Sequence, residues 1–305
     1  FFVCTNHEYE PMVREQLPDV PGEHILAEPV NRNTAPSVAW ACFRIKHICP
    51  EARIIVTPSD QAVMDVDAYI RDIGKAMQFV GENDNLLTLG VTPSRPEPGY
   101  GYIQMGEPAE SGASDLYHVK SFTEKPEREF ARIFMESGEF LWNTGIFMAN
   151  VKTMVESFVK IFPAVFRLIE EANLSLEEEH KYVHEYFPVY PNVSMDDGIL
   201  EQSDNVYVMR CNFGWADMGT WHSVYEALSK GSGDNVVLDS EVMMEDCHNN
   251  VIKLPKGKTG VLYGLNGFIV AERDNVLMIC KKEDSSALVR KFVNEVQMKY
   301  GDEFI

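Results

Sequence analysis

Ala52-Arg53-Ile54-Ile55-Val56-Thr57-Pro58-Ser59-Asp60 is the stretch on which the fold turns. The β-branched run Ile54, Ile55 and Val56 favours extended backbone, and Thr57-Pro58-Ser59-Asp60 ends it in a turn. A strand over 52–56 is expected, with a carboxylate just past its carboxyl end. On the C-terminal side a helical pattern covers about 62–80 and another strand about 85–89. On the N-terminal side, Phe1-Phe2-Val3-Cys4 runs into Thr5-Asn6 and predicts a buried strand, followed by a helix over about 7–17. Asn33-Thr34-Ala35-Pro36 then starts a helix reaching about 48, because Asn caps well and Pro36 is tolerated in a first turn. This alternation predicts an α/β fold with a mixed, mostly parallel sheet and helices on both faces.

Further helices are expected at about 127–137, at 151–161 and within 164–185. A strand over 206–211 leads to Gly214-Trp215-Ala216-Asp217. After Gly231-Ser232-Gly233 the pattern changes. Short β-like runs at 235–238, 250–254, 260–263, 268–272 and 276–280 are separated by Asn, Asp, Gly and Pro, and a helix over 285–298 closes the chain. Two units follow, one over 1–232 and a small β-rich one over 233–305, with no strict internal repeat.

The 305 residues carry 27 basic and 47 acidic side chains, a net charge of −20. That balance argues against nucleic-acid or anionic-membrane partners, since no Lys/Arg block offsets it. A nucleotide ligand is still compatible: at a Debye length of about 8 Å, remote carboxylates are screened and local cations decide. No apolar run approaches a membrane span and no basic-apolar signal peptide opens the chain, so a soluble, cytoplasmic protein is expected. The six cysteines, scattered and without Cys-x-x-Cys, read as reduced core residues.

In α/β sheets, ligands bind outside the carboxyl ends of the strands, where Asp60, the 92–102 loop and Glu124 are expected. Ser121-Phe122-Thr123-Glu124-Lys125-Pro126 and Leu141-Trp142-Asn143-Thr144-Gly145 place a carboxylate, an ammonium and an amide at strand–loop junctions. Carboxylate and amide bond hydroxyls directionally and lysine offers a point charge to phosphate, a mixture suited to a phosphorylated sugar. Asp60 and Asp217 are candidate Mg²⁺ ligands, because this cation takes one or two carboxylates plus substrate phosphate oxygens; loop capping is the competing account.

Within Leu89–Tyr102 three prolines stiffen a loop, and Gly99 and Gly101 let backbone approach a ligand. Arg95 is a candidate phosphate contact, and Tyr100 and Tyr102 are candidates to pack on a sugar ring. Glu28, Arg32, Asn33 and Thr34 precede a helix N-terminus. A carboxylate there can accept from both N1–H and N2–H₂ of guanine, a pair that adenine lacks; an ordinary helix cap is the alternative. Asp65-Val66-Asp67 mimics a metal motif but falls inside the expected helix. His180 and His184 lack the Glu of a zinc helix and read as solvated.

These stretches, together with Ser194–Glu201 and Gly214–Trp221, resemble the mannose-1-phosphate guanylyltransferases, also called GDP-mannose pyrophosphorylases, in order and over nearly the whole chain. The resemblance implies a Rossmann-like nucleotidyltransferase domain followed by a β-rich segment of short β-helix character. It implies the reaction of GTP with mannose 1-phosphate to give GDP-mannose and pyrophosphate. It also implies Mg²⁺ on Asp60 and Asp217, and a guanosine side at Glu28, Arg32, Asn33 and Thr34. Gly101, Glu124 and Asn143 become sugar contacts, and Lys125 the contact to the sugar phosphate.

The family's Gly-Gly-x-Gly-x-Arg loop does not occur in these 305 residues, and the chain is expected to begin at a later strand. Asp197 and Gln202 stand where the family has Tyr and Lys, and Gln61 where His is usual. Another sugar 1-phosphate or base, and a non-catalytic regulatory subunit, are the alternative readings. A homodimer is expected from the apolar β-rich segment.

Overall fold

The computed structural model describes residues 1–110, 115–166, 174–273 and 275–301. The first elements are β1 (Val3–Asn6), α1 (Glu10–Gln16), β2 (Ile25–Glu28), α2 (Thr34–Ile48), β3 (Arg53–Val56), β4 (Gln61–Val63), α3 (Val66–Glu82) and β5 (Leu86–Val91). Then come β6 (Tyr102–Pro108), β7 (Leu116–Thr123), α4 (Arg128–Ser137), β8 (Phe140–Asn150), α5 (Val151–Ile161), α6 (Leu176–Tyr186), β9 (Val206–Cys211), β10 (Trp215–Asp217) and α7 (Trp221–Leu228). Part of the helix expected within 164–185 lies outside the described residues, at 167–173.

The main sheet has the order β3-β8-β5-β9-β7-β6. Among the described residues of this sheet only β5 and β9 pair in parallel; β3–β8, β5–β8, β6–β7, β6–β8 and β7–β9 are antiparallel. The strands β3, β5, β9 and β6 nonetheless share one direction, with β7 and β8 inserted between them in reverse. The α/β fold is therefore the expected one, but most of its hydrogen-bonded neighbours are antiparallel. Periodicity reports which residues face the core, and carries no information on which strand lies next to which.

Alternation along β5 and β8 divides two cores. Leu86 and Phe147 face α2 and α5, and Leu87 and Met148 face the side where Ala76 and Val80 of α3 and Ala131 of α4 pack. Burial of these large apolar side chains is the main stabilising term, about 1.5–3 kcal/mol for each full Leu, Val or Phe. The strand at the N-terminus is present but only half-buried, because β1 pairs in parallel with β2 in a separate two-stranded sheet.

The helix expected from 62 begins instead at Val66, capped by Asp65, whose side chain accepts from the Ala68 amide. Gln61–Val63 is taken up by antiparallel pairing with β10, a long-range contact that overrides local propensity. Cys4 and Cys49 are exposed and Cys280 is half-buried, unlike the buried Cys42, Cys211 and Cys247.

From Val236 onward the chain coils. The strands β11 (Val236–Leu238), β13 (Val251–Lys253) and β15 (Phe268–Arg273) stack in parallel, with β16 (Val276–Lys281) antiparallel to β15. The strands β12 (Glu241–Glu245) and β14 (Thr259–Tyr263) form a second parallel pair. Ile252, Leu254 and Val270 fill the space between. Asn250, fully buried, donates to Asn235 Oδ1 at 2.8 Å and accepts from the Phe268 amide at 2.8 Å, so successive coils share one asparagine stack. Helix α8 (Ser285–Tyr300) closes the segment.

Candidate active site

The β4–β10 pairing puts Gln61 opposite Asp217, so Asp60 is next to it in space; the Met218 amide donates to the Asp60 carbonyl at 3.0 Å. Asp217 is half-buried and Asp60 exposed. Burial, followed by the Asp60 charge, pushes the Asp217 carboxyl above the usual carboxylate range, while the Gly219 amide, donating to Oδ1 at 2.8 Å, pulls it back. Two carboxylates that repel one another in a partly desolvated site form a donor pair suited to a hard cation. Among the described residues no cluster of three or more Asp, Glu, His or Cys could hold a metal, so further ligands would have to be substrate oxygens or water. The residues present fit a Mg²⁺ ion shared with a phosphate.

A second group forms where the 98–101 loop crosses β8. Gly101 accepts from the Asn143 amide at 2.8 Å, and the Tyr100 carbonyl accepts from the Lys125 amide at 3.2 Å. A Cβ on Gly101 would lie 2.7 Å from Glu124 Oε2 and 3.3 Å from Asn143 Cβ, so a side chain here would displace the Glu124 carboxylate and crowd Asn143. Glu124 and Lys125 are about half exposed and ion-paired at 2.7 Å. Lys125 has φ of 45°, an unusual backbone for a side-chain-bearing residue and one that a constrained site can sustain.

Asn143 is fixed at both ends: Oδ1 accepts from the Gly145 amide at 3.0 Å and Nδ2 donates to Asp196 Oδ1 at 2.7 Å. One amide hydrogen of Asn143 remains for a ligand. Asp196 begins a π-helical turn, Asp196–Leu200. Burial raises its carboxyl, the Asn143 hydrogen bond opposes that, and the Glu124 charge adds to it. Glu201 is raised as well, by burial and then by Asp197, Asp196 and Glu124. Within Ser194–Glu201 nothing in the sequence marks out Asp196, because its contact with Asn143 spans 53 residues.

On the β2–α2 side, Glu28 is 9% exposed, and its Oε1 accepts from Ser37 Oγ. Burial raises the Glu28 carboxyl and the Ser37 hydroxyl partly offsets it. Asn33 caps α2 from φ 64° and ψ −166°, its Oδ1 accepting from the Thr34 amide. Thr34 Oγ1 accepts from the Met195 amide at 2.9 Å, which ties this segment to the turn holding Asp196. Arg32 donates to the Pro188 carbonyl.

Three expectations are corrected. Tyr102 is fully buried, with its hydroxyl bonded to the Glu97 backbone at 3.0 and 3.2 Å, so it shapes the loop from beneath and does not face a ligand. Tyr100 is buried likewise and bonds Ser223. Arg95 pairs with Glu226 at 2.6 Å and Glu97 at 3.3 Å and lies over the Trp142 ring, so its first role is to brace the loop. Aromatic and cationic residues in a Pro/Gly loop suggest a binding surface in sequence; Ser223 and Glu226, which take up Tyr100 and Arg95, lie 123 and 131 residues further along and are invisible there.

The family described as Nucleotidyl transferase matches residues 1–232. The mannose-1-phosphate guanylyltransferase of Salmonella montevideo is 29% identical over 311 residues, covering 99% of this chain and 64% of its own length. The protein of the same description from Escherichia coli (strain K12) is 30% identical, covering 97% of this chain and 61% of its own. The chain thus spans less than two thirds of the length of these relatives. A solved structure described as a mannose-1-phosphate geranyltransferase from Thermus thermophilus superposes with a TM-score of 0.78 at 27% identity, over 97% of this chain and 84% of that one.

Proposed function

Because the chain belongs to the nucleotidyl transferase family, we propose that it carries the site of a guanylyltransferase that makes GDP-mannose and pyrophosphate from GTP and mannose 1-phosphate. The relatives described as mannose-1-phosphate guanylyltransferases support the substrate pair. The observation that carries the reading is geometric: Gln61, next to Asp60 and the register partner of Asp217, donates to the carbonyl of Thr144, the neighbour of Asn143, so the carboxylate pair adjoins the sugar-side group.

In this reading Asp60 and Asp217 would hold Mg²⁺, Lys125 the sugar phosphate, and Gly101, Glu124 and Asn143 would receive the sugar hydroxyls. Asp196 orients Asn143. Glu28 reads guanine, sharing Oε1 with Ser37, and Arg32, Asn33 and Thr34 shape the nucleotide side. Bound Mg²⁺ would neutralise phosphate charge and align the reacting groups. A phosphate oxygen of mannose 1-phosphate attacks the α-phosphorus of GTP, the new O–P bond forms, and the bond to the β-phosphate oxygen breaks to release pyrophosphate. The nucleophile is already anionic at neutral pH, so no general base is required. Catalysis is mainly positioning and charge compensation. The unit over 1–232 does this chemistry, and the one over 233–305 is a β-rich appendage offering a face to a second copy.

No described helix is long and apolar enough to cross a membrane. The test is pyrophosphate release by the full-length protein with Mg²⁺, across GTP and ATP and several sugar 1-phosphates. Turnover confined to GTP with mannose 1-phosphate supports the proposal. Preference for another pair reassigns the substrates, and silence across the panel sinks the enzyme reading.

A further inference from the structure

Helix α8 reaches from the C-terminal segment onto the loop that builds the sugar-phosphate side. Arg290 Nη2 donates to the Pro98 carbonyl at 3.1 Å. Gly99 is crowded from two sides: a Cβ there would sit 2.9 Å from Glu97 Oε1 and 3.2 Å from both Ser286 Cβ and Oγ. Arg128, three residues past Lys125, pairs with Glu283 at 3.0 Å. A cavity of about 280 Å³ has Lys125 and Arg128 on one wall and Glu283, Ser286 and Arg290 on the other. Just before α8, Lys282 is buried with its ammonium 2.9 Å from the centre of the Tyr225 ring, anchoring the helix start against α7.

The hydrogen bonds form a continuous path. Arg290 holds the Pro98 carbonyl, the loop turns through Gly99, Tyr100 O accepts from the Lys125 amide, and Gly101 O accepts from the Asn143 amide. Pro98 has no N–H and a fixed φ, so its carbonyl is the handle through which a neighbour can set the loop's height above β8. A guanidinium donating to a carbonyl is a charge-assisted bond and holds its geometry better than a neutral one.

We propose that Arg290 is a positioning residue for the sugar-phosphate side of the site, acting through Pro98 on Lys125 and Asn143. Helix α8 is then part of the active-site architecture, and binding of a sugar 1-phosphate depends on it while binding of the nucleotide does not. The inference rests on the sugar-side assignment proposed above.

The experiment uses the full-length protein with Arg290→Ala, Arg290→Lys, Gly99→Ala and the double variant Gly99→Ala/Ser286→Gly. Steady-state kinetics is paired with calorimetric binding of mannose 1-phosphate without nucleotide. Loss of one such hydrogen bond should weaken sugar-phosphate binding and raise its KM about fivefold in Arg290→Ala, with the KM for GTP unchanged. Arg290→Lys should recover most of the loss. Gly99→Ala, which crowds Glu97 as well as Ser286, should show the same selective defect, and Ser286→Gly in the same chain should relieve the part that comes from the helix. Unchanged sugar-phosphate binding in Arg290→Ala overturns the proposal. So does an equal loss for both substrates with a lowered melting temperature, the signature of a merely structural brace. If the unsubstituted protein turns over another sugar phosphate, that ligand replaces mannose 1-phosphate in the assay and only the substrate reading falls. If it binds no sugar phosphate, both fall together.

Discussion

Asp217 carries the most revealing electrostatics of any single residue here. Its carboxyl is raised by burial and by Asp60, so the folded chain binds that proton more tightly than the unfolded chain. Without metal, its contribution to stability is fully present below the unfolded carboxylate value and is lost as pH rises through the raised folded value. Asp217→Asn should therefore hold or raise the melting temperature of the metal-free protein near neutral pH. The same variant should lose turnover by orders of magnitude and lose the melting shift that Mg²⁺ gives the unsubstituted protein; a retained shift would exclude Asp217 as a ligand. Glu28→Gln keeps an acceptor for Ser37 and removes a buried charge, so stability should hold. Guanine preference should fall by about 1–3 kcal/mol, read as the GTP-to-ATP ratio of kcat/KM. Both carboxylates were legible in sequence, since type and turn context mark them. The burial of Tyr102 and the capture of Arg95 by Glu226 were not, because each depends on what packs against the residue.

At the scale of elements, α2 shows how a site is built on a strained start. Asn33 has φ 64° and ψ −166°, a region in which glycine is at ease and other residues cost about 1–3 kcal/mol. Replacing an Asn cap by Gly costs only a few tenths of a kcal/mol. Asn33→Gly should accordingly stabilise the protein by about 1 kcal/mol in urea unfolding while raising the KM for GTP. A destabilised variant would mean the cap hydrogen bond outweighs the strain. The termini of α2 and α5 follow from local chemistry, Asn33 and Asn150 each accepting from a nearby amide of the first turn. The short strands β4 and β10 do not follow from it. Three residues carry too little periodicity to read, and the two strands become extended only because they pair with each other across the chain. That pairing is also what brings Asp60 to Asp217.

For the whole molecule, the C-terminal coil leaves an apolar surface. Met243 and Val261 are register partners on β12 and β14, and Val261 and Tyr263 are 69% and 73% exposed. A face of this kind is covered in most stable proteins, and a second copy of the chain is the occupant proposed. Val261→Lys should shift the protein from dimer to monomer in sedimentation with its fold intact. A monomeric unsubstituted protein would rule the face out as a homodimer surface. The helix α8 has a further role at this scale, since it joins the coil to the loop bearing Gly101.

The sequence by itself determined the α/β class, the change of character near residue 232, most helix spans and the residue types that make the site. These are local properties, set by periodicity, capping and the chemistry of single side chains. Only the tertiary structure decided that β7 and β8 reverse the sheet's pairings, that Asp196 fixes Asn143, and that Arg290 reaches Pro98. Each of those joins residues distant in the chain. Their energies depend on which surfaces meet after folding, and no local pattern encodes that.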